Sequence, residues 1–101
     1  MRPSRTGGTQ EGKDTRGQAG TIFAYKGDNN VLYWVRHGPA IDHFSIQGSP
    51  ATGGPFTELD TLPGTQFNSD PDAYDGFYVY VVAEDSSGVQ IGQQSNTVNM
   101  T

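Results

Sequence analysis

Asp70, Asp72 and Asp75 crowd into the short segment Asp70-Pro71-Asp72-Ala73-Tyr74-Asp75-Gly76. Calcium takes clustered oxygen ligands, so this is the first place to look for chemistry. The spacing departs from the calcium-loop pattern, and Pro71 restricts the loop. A solvated acidic turn is the favoured reading, with calcium as the alternative. His37 and His43, with Asp42 beside the latter, flank another loop. Zinc needs at least three converging ligands. Two histidines across a loop that contains Pro39 read better as polar loop residues, so no metal and no cofactor is assigned. Lys26-Gly27-Asp28 matches a short adhesion tripeptide, but a hairpin turn is the better account of it.

Nucleophilic catalysis finds no support in the residue pattern. The chain has no cysteine, which excludes disulfides and thiolate metal sites. There is no Gly-x-Ser-x-Gly elbow and no phosphate-cradling glycine loop. General acid–base work needs a pocket that shifts a pKa, and a small sandwich has little room for one. The expectation is a non-enzymatic protein.

The remaining candidates are contact residues. Tyr33, Tyr78 and Tyr80 are expected on outer strand faces. Exposed tyrosines offer much contact area at little entropic cost. They fill cross-strand gaps, meet a protein, or stack on sugar rings, in that order of preference. Residues 1–20 hold Arg2, Arg5, Lys13 and Arg16 against two carboxylates. Glycine, serine, threonine and glutamine fill much of the rest, so this segment reads as an extended, flexible, basic arm suited to grip a partner.

Residues 21–101 must position the tyrosines, and their texture differs from the arm. They carry two basic residues against nine acidic ones, a balance that repels nucleic acid and anionic membrane surfaces. No apolar run is long enough to span a membrane. No window holds a helical period, so almost no helix is expected. Short strands are expected at Thr21–Tyr25, Val31–Arg36, Asp42–Gln47, Phe56–Leu62, Gly64–Ser69 around Phe67, Phe77–Glu84 and Thr97–Met100. The run from Phe77 to Glu84 is the strongest signal, being rich in aromatic and β-branched residues and closed by Asp85-Ser86-Ser87-Gly88. Seven strands with regular turns imply an all-β, antiparallel Greek-key β-sandwich. Its core should contain Phe23, Leu32, Trp34, Phe44, Ile46, Leu62, Phe67, Phe77, Val79, Val81 and Val98.

Residues 21–101 resemble a fibronectin type III domain, specifically the bacterial and phage versions. Val31-Leu32-Tyr33-Trp34 resembles the second strand with its core tryptophan. Gly54-Pro55-Phe56-Thr57-Glu58-Leu59 resembles the segment after the third strand. Phe77 to Gly88, followed by Ser95-Asn96-Thr97-Val98, is similar to the last two strands. The family usually carries a tyrosine where Phe77 stands, its hydroxyl pinning the preceding loop. Tyr74 or Tyr78 has to substitute here. The resemblance implies a structural or binding module. With Met1 as a natural start and no export signal, the expected role is a phage virion decoration protein. Its arm would hold another capsid or tail subunit, and its sandwich would face a host glycan or protein. The alternative is a secreted or cell-surface accessory module that spaces domains or binds glycan.

Overall fold

The computed structural model describes residues 21–101, so the arm with Arg2, Arg5, Lys13 and Arg16 lies outside the described residues. Among the described residues six strands form: β1 Thr21–Lys26, β2 Leu32–His37, β3 His43–Ser49, β4 Thr57–Pro63, β5 Tyr78–Glu84 and β6 Val98–Asn99. A single 3₁₀ turn, Asp28–Asn30, joins β1 to β2. One antiparallel sheet holds β1 and β2, and the other runs β4-β3-β5-β6. The two sheets share one core, which gives the all-β antiparallel sandwich that the strand pattern implies.

The expected strand at Gly64–Ser69 forms only in part. It contributes a bridge from Asn68 to Tyr33 and backbone bonds from Trp34 N–H to the Phe67 carbonyl and from Ser69 N–H to the Leu32 carbonyl. The Ser69 hydroxyl accepts the Leu32 N–H at 2.9 Å. One side chain and a few backbone groups thus satisfy the second edge of β2, where a seventh strand would lie. Regular pairing fails upstream because Gly64 is held against the Ile41–Asp42 backbone, with its N–H on the Asp42 carbonyl.

The core is built where inward faces meet. Phe44, Ile46, Val79, Val81 and Ala83 face inward from β3 and β5, as their alternation requires, with Trp34 and Leu32 opposite from β2. Trp34 and Phe44 pack edge to face with ring centroids 5.5 Å apart. Two expected core residues differ. Phe23 is 56% exposed, because Ala24 is the residue paired with Trp34 and a small side chain fits beside that ring. Ile22 and Ala24 therefore turn inward and Phe23 turns out. Phe67 is 44% exposed, though its ring edge still meets Phe44. Tyr74 and Met100 join the core from the loop before β5 and the end of the chain.

A bulge in β4 opposite Ile46 and Gln47 frees Leu59 from the ladder. Leu59 leans over Gly48, the one position of β3 with no side chain to obstruct it. Tyr74 does the pinning that Phe77 cannot: its hydroxyl bonds the Asp60 carboxylate at 3.1 Å and ties the 70–76 loop to β4.

Candidate contact face

Alternation in β1 and β2 places Phe23, Tyr25, Tyr33 and Val35 on the outer face of the two-stranded sheet, as cross-strand pairs Phe23–Val35 and Tyr25–Tyr33. Phe23, Tyr25 and Val35 are 56%, 43% and 48% exposed. The rings of Phe23 and Tyr25 lie 5.9 Å apart at 25°, and those of Tyr25 and Tyr33 lie 5.4 Å apart at 14°. Rings this close cannot lie edge to edge as flat tiles, so they overlap in an offset stack. Tyr33 is half-buried because its ring lies across Gly27, where any Cβ would collide with it. The result is a row of three rings held by their own strands, with Val35 at one corner.

Tyr78 and Tyr80 lie elsewhere. They face outward from the four-stranded sheet, where Tyr80 packs on Phe56 at 5.0 Å between centroids. The three tyrosines singled out in the sequence therefore do not form one face. Tyr33 belongs to one sheet surface, and Tyr78 and Tyr80 to the other. Sequence reasoning missed Phe23, Tyr25 and Val35 as contact residues. Their period-two spacing was the available signal, but Ile22 and Ala24 share that period on the opposite face.

Asp42, His43, Glu58 and Glu84 lie on the outer face of the four-stranded sheet, each held by side-chain hydrogen bonds. His43 bonds Asp42 through Nδ1 and Glu84 through Nε2, each at 2.8 Å. The Asp42 bond, then the Glu84 bond, raises the pKa of His43 above the ordinary histidine value, against a smaller opposing effect of burial. Both ring nitrogens are occupied, so neither is free to take a proton from a nucleophile. Glu58 accepts the Ser45 hydroxyl at 2.8 Å and the Thr61 hydroxyl at 2.9 Å, and these bonds hold its pKa below the usual range.

His37 and His43 stand on different sheets. In the 70–76 loop, Asp75 accepts a bond from the Asn30 amide and the Asp72 N–H bonds the Asn30 carbonyl. No group of three or more histidine or carboxylate ligands converges among the described residues. No helix among them is long and apolar enough to cross a membrane.

No protein-family model matches the chain, and no curated protein does. Among solved structures, the chain is similar to an Fn3-like protein from Clostridium thermocellum, at 24% identity and a TM-score of 0.53 over 76% of this chain and 82% of that one. It is also similar to part of the pectate lyase Pel3 from Pectobacterium carotovorum, at 14% identity and a TM-score of 0.56. That match covers 77% of this chain and 26% of the lyase chain, so this chain spans about a quarter of the lyase's length. The likeness establishes the fold as a fibronectin type III-like β-sandwich.

Proposed function

We propose that this chain is a contact module that docks on a partner protein of a larger assembly through the row Phe23, Tyr25 and Tyr33. One observation carries the reading: Phe23, Tyr25 and Val35 stand exposed on one sheet face, with the half-buried ring of Tyr33 stacked beside Tyr25. Covering such a face removes apolar area from water without leaving a charge unpaired. β1 follows residues 1–20 directly in the chain, so Arg2, Arg5, Lys13 and Arg16 belong to the same continuous segment as Phe23 and Tyr25. A virion decoration protein is the specific form of this reading, with the arm on a capsid or tail subunit.

Placing the photo-crosslinker p-benzoylphenylalanine at position 25, in cells that naturally make the protein, tests the face. A discrete protein adduct from position 25, absent from the exposed control position 52, is the expected result. No adduct at 25, or the same adducts from both positions, overturns it. Deleting residues 1–20 should abolish attachment to the partner while the sandwich still folds.

A second reading has its own support. The fold recurs within a pectate lyase chain, which fits an accessory spacer or glycan-binding module of a secreted enzyme. Retardation of the chain in gels containing polygalacturonate, lost on Tyr25→Ala, would favour this second reading over the first.

A further inference from the structure

A cleft of about 280 Å³ opens at the far end of the sandwich from the 27–30 turn. Pro39, Ile41, Phe44 and Phe67 supply apolar walls, Thr65 stands at one side, and Arg36 reaches in from β2. Arg36 faces the core side of its strand, paired with Ile22, where an arginine is out of place unless something uses its charge. Its Nη1 donates to the Pro39 carbonyl, which fixes the plane of the guanidinium. The other two nitrogens, Nε and Nη2, are shut off from solvent and have no hydrogen-bond partner among the described residues.

Those two nitrogens are the side-on fork of the guanidinium, spaced to meet both oxygens of one carboxylate. Leaving such donors buried and unpaired costs stability. Arg36 is one of two basic residues in a segment with nine acidic ones, yet no carboxylate of the described residues forms an ion pair with it. An apolar cavity with a few convergent polar groups is the general form of a small-molecule site.

We propose that this cleft binds a small monocarboxylate with an apolar body. The carboxylate would pair with Nε and Nη2 of Arg36, and the body would lie between Phe67 and Ile41. The fork is enclosed, so the 38–41 loop yields as the ligand enters. The site lies apart from the aromatic row, and its failure would leave the contact-module reading untouched.

The test is a titration of the ¹⁵N-labelled full chain with 3-phenylpropionate, followed by amide shifts, with 3-phenylpropanamide as the neutral analogue. Saturable shifts centred on Arg36, Ile41, Thr65 and Phe67 are expected in the millimolar range. The amide should bind about tenfold more weakly or worse, the loss that follows from one charge-assisted hydrogen bond. Arg36→Gln should abolish carboxylate binding and keep the wild-type spectrum elsewhere. If that variant fails to fold, Arg36→Lys keeps the charge but loses the fork, and should bind the carboxylate more weakly while still preferring it to the amide. A fork that is merely hydrated gives no saturable shift with 3-phenylpropionate, which overturns the proposal. So does equal binding of acid and amide, or binding that Arg36→Gln does not change.

Discussion

Replacing Asn96 with alanine should lower stability by about 2 kcal/mol, although the side chain lies at the surface. The Asn96 amide is bonded on both sides to one backbone residue of β1. Its Oδ1 accepts the Ala24 N–H, and its Nδ2 donates to the Ala24 carbonyl, each at 2.9 Å. A single side chain thus replaces a pair of ladder bonds and clamps the free edge of β1 to the segment before β6. Each such bond contributes roughly 0.5–1.5 kcal/mol net, and two give about 1–3. For a domain of this size, about 2 kcal/mol corresponds to roughly 8–16 °C in Tm. Thermal unfolding followed by circular dichroism reads this directly. Asn96→Asp separates the two bonds, because a carboxylate keeps the acceptor but sets a negative oxygen against the Ala24 carbonyl. It should be at least as damaging as alanine at pH 7. Its deficit relative to wild type should shrink in acid, where a protonated carboxyl donates again. A Tm within about 2 °C of wild type for Asn96→Ala would refute the clamp.

Three further outcomes follow from the packing and the charges. The raised pKa of His43 means the folded state favours the protonated ring, so its contribution is fully present below pH 6.5 and is lost as pH rises through the raised value; urea unfolding across that window should show wild type losing stability relative to His43→Gln. Gly48→Ala would drive a methyl into Leu59 and within 3.2 Å of Val79 Cγ1, costing about 1–3 kcal/mol, and Leu59→Ala should relieve part of that cost in the double variant, as measured by a double-mutant cycle. Burial, then the neighbouring Asp60 charge, pushes the Tyr74 hydroxyl well above the ordinary tyrosine pKa, so in an alkaline absorbance titration one tyrosine should ionise only on unfolding, and Tyr74→Phe should remove that step at a cost of about 1–2 kcal/mol.

The parts of the fold that are legible in the sequence are those where local chemistry has one solution. The run from Phe77 to Glu84 carries strand formers on both faces, and β5 occupies Tyr78–Glu84. Phe44 and Ile46 alternate with polar residues, so only one face of β3 can turn inward. β1 is different, because Ile22-Phe23-Ala24-Tyr25 is apolar on both faces. The choice between them rests on the Ala24–Trp34 pairing, a fact of register between two strands. That ambiguity hid Phe23 and Tyr25 from the list of contact residues, since side-chain size alone pointed Phe23 inward. The roles of Asn96, Ser69 and Ser95 were hidden for another reason. Each uses a side chain as a substitute for strand backbone, the Ser95 hydroxyl accepting the Val81 N–H at 2.8 Å, and polar residues in a loop give no sign of which distant edge they will meet.

The two outer surfaces of the sandwich are chemically sorted, and this bears on which one meets a partner. On the four-stranded sheet, His43, Glu84, Ser45, Glu58, Thr61 and Gln47 are bonded to one another or to Asp42. A partner that covers this face must desolvate charges already satisfied, and it gains little in exchange. On the two-stranded sheet, the row from Phe23 to Tyr33 carries no charge, so covering it removes aromatic area from water at the cost of pairing only the tyrosine hydroxyls. Tyr78 and Tyr80 sit among the satisfied groups, with Tyr80 already leaning on Phe56. Adding a charge to each face separates the two cases. Tyr25→Asp should cut partner binding sharply with little change in Tm, whereas Tyr80→Asp should lower Tm and leave the adduct at position 25 in place. The opposite pattern would move the contact face to the four-stranded sheet.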